Sequence, residues 1–346
     1  MTTNSSAPLA RIRDLHDLLG VIPHLLGFHP DESLVIIVLD GAQVQVTARV
    51  DLTDVATGGQ VEMLIDRLLL RWPSATVWLV GYSASEADAW RVLQRAEDHA
   101  GEALAGEPLC VSAGHYRVGD ASGPRYRHDP TSTQSAAAAT VHGLQARPNR
   151  AVLRAEVRVD PAMAAEAERY WVTALDRLAG FDAHQLPDEM ARALALHLNA
   201  PFGVPSMELA WLAVLANVPA ARDRALVAIS RDDADAHVEL WSRVVRACPY
   251  GTQQHALSLL GMAAWVSGNG ALQSVCLEEL EQQGADLALQ GMLEKLNEGI
   301  VPPSYWDELR PELLEAITPL PSELRADQAA REIGHAHGEG ADHKVA

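Results

Sequence analysis

The run Ser33-Leu-Val-Ile-Ile-Val-Leu39 limits the possible folds of this chain more than any other stretch. It is β-branched and continuous, with no polar alternation, so it is expected to form a strand covered on both faces. Asp40-Gly41 follows as a turn, and residues 43–51 alternate in the manner of a half-buried partner, which predicts a hairpin. Val61, Leu64, Ile65, Leu68 and Leu69 follow helical period, and a strand is expected at 76–82. A second amphipathic helix at 85–103, a strand at 108–112 and shorter edge strands at 115–118 and 125–128 complete a β-β-α-β-α-β order. This is an α/β domain with a mixed sheet, expected over residues 14–130.

Ahead of the first strand, residues 14–22 have helical spacing, Pro23 is expected to begin a new turn and Gly27 to end it. Residues 120–139 are rich in Gly, Pro, Ser, Thr and Ala, so 131–158 reads as a linker or mobile loop with a short extended segment. From Pro161 onward the strong signals are helical, with helices near 207–217, 220–229, 235–248, 253–267, 271–283 and 286–297. Residues 159–318 are therefore expected to form an all-α helical bundle or a short tetratricopeptide-like solenoid, with Trp211, Trp241 and Trp265 in its core. Residues 1–13 are expected to be a disordered start. Residues 319–346 should be a flexible tail in which His335, His337 and His343 are solvated.

The formal charge of -19 argues against binding of double-stranded nucleic acid, which needs clustered Lys and Arg. Three scattered cysteines, Cys110, Cys248 and Cys276, suit neither a disulfide framework nor a C-x-x-C zinc site, so buried reduced thiols are expected. The polar first residues resemble neither a signal peptide nor an anchor, and no apolar run is long enough to span a membrane, so the cytoplasm is the expected compartment. P-loop, G-x-G-x-x-G, G-x-S-x-G, H-E-x-x-H and Ca-loop motifs do not occur. No metal or cofactor is expected.

A distinctive segment precedes the buried strand: Pro23-His24-Leu25-Leu26-Gly27-Phe28-His29-Pro30. With Ser33-Leu34-Val35, Arg49-Val50-Asp51-Leu52, Arg222-Asp223, Trp241, and Trp265 ahead of Gly268-Asn269-Gly270, it is similar to the actinobacterial family catalogued as domain of unknown function 4192. The resemblance covers about residues 14–306 and implies no known activity. Many members of that family carry a cysteine-containing stretch after the last N-terminal strand; residues 112–130 here have none, so no metal or redox role carries over.

Three sets of side chains are candidates for ligand contact. His24 and His29 bracket the Gly-Phe bend and could converge on a ligand, or could serve only to cap and close the bend. Arg49 and Asp51 share a strand face by period two, either as a structural ion pair or as ligand contacts at a sheet end. Tyr116, Arg125 and Arg127 belong to a basic, aromatic patch that could stack on a base and hold phosphates, or form two solvated edge strands. Arg222-Asp223, at a helix start, reads as structural. The leading expectation is a non-enzymatic interaction or regulatory protein, its helical half holding an unidentified protein partner. The alternative is a small-molecule-binding protein or enzyme with its site near residues 23–30 and the Arg49/Asp51 strand end.

Overall fold

The computed structural model describes residues 12–317 apart from 42, 57, 201 and 202; the expected disordered start falls largely outside these residues, and the expected tail entirely so. Helix α1 (Leu15–Leu26) opens on Asp14, whose carboxylate accepts the Asp17 N–H at 2.8 Å, and closes on Gly27 at φ 76°. That conformation suits glycine, which ends the helix as expected. Pro23 does not begin a new turn: it lies inside α1, where it lacks the amide hydrogen that the Leu19 carbonyl would otherwise accept.

Strands β1 (Ser33–Asp40) and β2 (Gln43–Asp51) form the antiparallel hairpin, with a register shift at Val38/Leu39. After α2 (Leu52–Val55) and α3 (Gln60–Arg71), strand β3 (Thr76–Tyr82) pairs antiparallel with β1. Helix α4 (Glu86–Ala100) then crosses over to β4 (Leu109–Ser112), which runs parallel to β3, and β5 (His115–Val118) and β6 (Arg125–Arg127) add an antiparallel edge. The six-stranded mixed sheet has the order β2-β1-β3-β4-β5-β6.

Alternation along β1 divides its side chains between two layers. Leu34, Ile36 and Val38 pack with Val61, Ile65 and Leu68 of α3 and Ala89, Val92, Leu93 and Ala96 of α4. Val35 and Ile37, with Val80, Tyr82, Leu109 and Tyr116, belong to the opposite layer, which contains Leu18, Leu19, Ile22 and Leu26 of α1. Covering on both faces is what the unbroken apolar run required.

Residues 131–158 carry two helices, α5 (Gln134–Val141) and α6 (Arg150–Glu156), where composition suggested a linker. The small residues are packing residues: Ser135, Ala136 and Ala139 are buried, and α5 lies so close to α1 that a Cβ on Gly20 would meet the Thr133 side chain. The Ser135 N–H reaches the Asp17 carboxylate at 3.3 Å and the Ser135 hydroxyl donates to the Asp17 carbonyl, so the polar groups of this close contact are paired.

The helical part continues with α7 (Pro161–Glu168), α8 (Trp171–Ala179), α9 (Leu186–His197), α10 (Ser206–Ala216) and α11 (Pro219–Ala228). It ends with α12 (Ala234–Ala247), α13 (Gln254–Val266), α14 (Gly270–Gln282), α15 (Ala288–Glu298) and α16 (Trp306–Ile317). Trp211, Trp241 and Trp265 are buried in it, joined by Trp306, whose indole N–H donates to the Ile229 carbonyl at 2.8 Å. The layer beneath α1 continues without a break into this helical core. No helix among the described residues is long and apolar enough to cross a membrane.

Candidate functional site

One end of the sheet gathers the start of β1 and the ends of β2, β3 and β4. Ser33 of β1 pairs with Asp51 on one side and Tyr82 on the other, so all three side chains share the face beneath α1. The next same-face residue on β2 is Arg49, opposite Val35. Because β3 and β4 are parallel and end here, this is the edge at which open α/β sheets hold ligands.

Residues 27–32 are fastened across this edge from three directions. The Arg147 N–H donates to the Gly27 carbonyl at 2.8 Å, and the Arg147 carbonyl accepts the His29 N–H at 2.9 Å, enclosing Phe28. The Arg49 guanidinium donates to Asp51 Oδ1 at 2.6 Å and to the Asp31 carbonyl at 3.4 Å, and lies 5.9 Å from the Phe28 ring centre. Glu32, at φ 38° in a region that non-glycine residues seldom occupy, accepts the Ser83 hydroxyl at 2.8 Å and the Ala84 N–H at 2.7 Å. Its carbonyl also accepts the Leu52 N–H at 2.9 Å. Asp51 stands at the N-cap position of α2, but its carboxylate makes no cap bond there and is held by Arg49.

The histidines have unequal roles. His24 Nδ1 lies 2.8 Å from the Leu144 carbonyl; since a carbonyl only accepts, that nitrogen carries the proton and the ring secures the segment after α5. Burial, followed by the charge of His24, lowers the His29 imidazole below its ordinary value, so His29 favours the neutral form. His128, absent from the sequence candidates, is nearly buried against the same layer and its Nδ1 lies 3.3 Å from that of His16. Burial first, then His16, pulls the His128 imidazole down to about 4.

Tyr116 faces this cluster. It stacks on Tyr126 at 5.2 Å and meets His128 edge-on at 6.1 Å. Arg125 and Arg127 do not join it: they pair in register with Arg117 and His115, on the opposite face of the strands from Tyr116 and Tyr126, and remain exposed. Arg125 is 3.4 Å from His115 Nδ1, and Arg117 is bound to Glu86 of α4 at 2.9 Å. A one-residue alternation therefore divides what looked like a single patch in sequence.

His24, His29, Arg49, Asp51 and Tyr116 lie along one end of one sheet face, and most of their polar groups are engaged by neighbouring chain. Around them, Ser33 Oγ, Tyr82 Oη and Arg49 Nε, with Thr47 Oγ1 one step further along the same face of β2, are buried polar atoms without a hydrogen-bond partner in the protein. Burial pushes the Tyr82 phenol far above its ordinary value, so it stays protonated and able to donate. Sequence reasoning passed over Ser33 and Tyr82 because each sits in an apolar strand. The available signal was strand parity, which places them on the face of Arg49 and Asp51. Among the described residues no group of three or more His, Cys, Asp or Glu side chains is arranged to hold a metal ion. The three cysteines are free and buried; burial raises the Cys110 and Cys248 thiols to about 12 and Cys276 further.

The region that carries these features lies within a match, over residues 16–304, to the family described as Domain of unknown function (DUF4192). The chain belongs to that family. No curated protein and no solved structure matches it. Two of the family-like segments meet in space: Gly27 of the bend lies beside Asn269, in the Gly268-Asn269-Gly270 turn between α13 and α14. A cleft of about 500 Å³ lies between the α11–α12 turn and α16 and includes the Arg231–Asp307 ion pair; it contains none of the residues of the sheet edge.

Proposed function

We propose that this DUF4192 protein binds a small polar ligand at the sheet edge beneath α1. The observation that carries this reading is the grouping of Ser33 Oγ, Tyr82 Oη and Arg49 Nε, all buried and without protein partners, on one face of the sheet. An unpaired buried polar atom costs about 1–3 kcal/mol, so a group of them calls for an occupant that pairs with them. Arg49 is already neutralised by Asp51, and His29 favours its neutral form, so the site suits an uncharged or singly charged molecule rich in hydroxyl or carbonyl groups rather than a polyphosphate. Binding, rather than turnover, is the role assigned, because His24, Arg49 and Asp51 are already engaged in holding the bend. Three free thiols, all buried, are compatible with the reducing cytoplasm as its compartment.

The test is a thermal-shift screen of small hydroxy and carbonyl compounds against the full chain and its Ser33→Ala/Tyr82→Phe variant. The wild type should be stabilised by a hit that leaves the variant unmoved, while the variant without ligand melts at the same temperature or higher, because removing an unpaired hydroxyl removes its desolvation penalty. A variant that melts lower, together with no hit on the wild type, would mean that internal water already pairs with these atoms, and the reading would fail.

A protein partner on the helical half is the second reading. It is favoured by Val172 and Leu175, exposed one turn apart on α8. Retention of a co-purifying protein by wild-type chain, and its loss in Val172→Glu/Leu175→Glu, is the expected result for that reading; equal retention by both would reject it.

A further inference from the structure

We propose that His16 and His128 form a proton-sensitive latch that holds the first turn of α1 on the β5–β6 corner while the pair is neutral and releases it when both rings are charged. The pair joins residues 112 positions apart, and its two Nδ1 atoms face each other at 3.3 Å with ring planes at 90°. Two nitrogens facing at this distance can hold one proton between them, one as N–H donor and the other as lone pair. A second proton would set N–H against N–H, turning the contact between α1 and the corner from attractive to repulsive.

The surroundings give little compensation for added charge. From α1 and its cap come Asp14, His16 and Asp17; Asp17 is engaged with Ser135, and Asp14 caps α1. From the bend comes His29, which opposes positive charge on His128, while His24 opposes it on His29. Tyr116 of β5 and Tyr126 of β6 present neutral rings, and Arg127 is cationic. Asp129 alone favours the charged form of His128, and it is bonded to the Thr131 N–H at 3.0 Å and open to solvent, where its field is screened.

The sign follows from linkage. The folded His128 titrates below the unfolded ring, so the unfolded or opened state takes up more protons at mildly acid pH. The latch is closed above the ordinary histidine value of 6.5 and weakens as pH falls from there towards about 4. What opens is the contact of α1 with the β5–β6 corner, and with it the cover over the polar sheet face.

Hydrogen exchange on the full chain tests this, with rates corrected for the intrinsic effect of pH. Between pH 7.5 and pH 5, amides of residues 15–26 and 126–135 should exchange at least about tenfold faster relative to the rest of the chain. That acid response should disappear in His16→Gln and in His128→Gln. Unchanged protection in the wild type, or the same acid response in both variants, would overturn the latch. Should the variants fail to fold, ring-proton titration of wild-type chain decides: a His128 midpoint below the ordinary histidine value supports the latch, and an ordinary His128 midpoint refutes it. Zinc that removes both titrations, with chelator restoring them, would replace the latch with a metal bridge.

Discussion

Asn269 Oδ1 lies beside Gly27, at 3.8 Å from where a Cβ on that residue would stand, and the same oxygen accepts the Leu272 N–H to cap α14. The bend that ends α1 and the turn that begins α14 are thus in contact, and a residue of the α/β part shares a neighbour with the helical part. At 3.8 Å an added methyl would make an ordinary contact, so space does not demand glycine at this position; the backbone does. Gly27 sits at φ 76°, where an L side chain costs about 1–2 kcal/mol. Gly27→Ala is expected to lower stability by about that amount in urea unfolding, and Asn269→Ala by about 1 kcal/mol through the lost cap. Because the two residues are in contact, a double-mutant cycle is expected to show a non-zero coupling between them.

Arg49 secures the bend by geometry as well as charge. Its guanidinium spans Asp51 and the Asp31 carbonyl while lying over Phe28, a fork that a lysine ammonium cannot reproduce. Arg49→Lys is expected to recover less than half of the loss seen in Arg49→Ala, which should be about 1–2 kcal/mol because Asp51 is partly exposed. Chemical denaturation of the two variants measures the ratio; full recovery by lysine would show that charge alone matters.

An ionic ladder fastens α6 to α14. Arg150 and Arg154 hold Glu278, and Arg158 holds Glu279 at 2.8 Å. Burial alone would raise the Glu278 carboxyl, but bonds and charges from Arg150 and Arg154 bring it below its ordinary value. Glu279 is 7% exposed and Arg158 53%, so removing the arginine leaves a buried carboxylate with only the longer Arg154 contact at 3.7 Å, whereas neutralising the glutamate leaves a solvated cation. Arg158→Ala should therefore be the more destabilising change, by about 1 kcal/mol over Glu279→Gln, and a double-mutant cycle reads the coupling.

His237 on α12 gives a second acid-sensitive point, distant from the sheet. It is 1% exposed with Nδ1 unpaired, and burial pulls its imidazole down to about 4, with Asp233 opposing the shift and Arg310 adding to it. A neutral buried histidine stabilises the fold above the unfolded value of 6.5, and this contribution is lost as pH falls towards about 4. His237→Met should leave stability at pH 7.5 unchanged or slightly raised and flatten its decline between pH 6.5 and pH 4.5. An equal decline in variant and wild type would place the acid sensitivity elsewhere.

Local pattern was enough for most of the elements. The unbroken run from Ser33 to Leu39 required cover on both faces, and the structure supplies α3 and α4 on one and α1 on the other. Helix start and stop signals located α10 to α15 closely because caps and breakers act within one chain segment. Where the reading failed, the deciding contact was between segments. The Ala- and Ser-rich stretch looked like a linker because its partner, Gly20 on α1, lies more than a hundred residues away; small residues mark a loop or a tight helix contact equally well until the neighbour is known.

The candidate site divides along the same line. Period two placed Arg49 and Asp51 on one strand face near a strand end; that the bend of residues 23–30 packs beside them was decided by the tertiary structure. Only the tertiary structure decided that Ser33 and Tyr82 share that face, that Arg125 and Arg127 do not share Tyr116's, and that His16 meets His128. The reason is physical: a repeat along the chain sets which way a side chain points, while sheet order and the packing of α1 set what it points at.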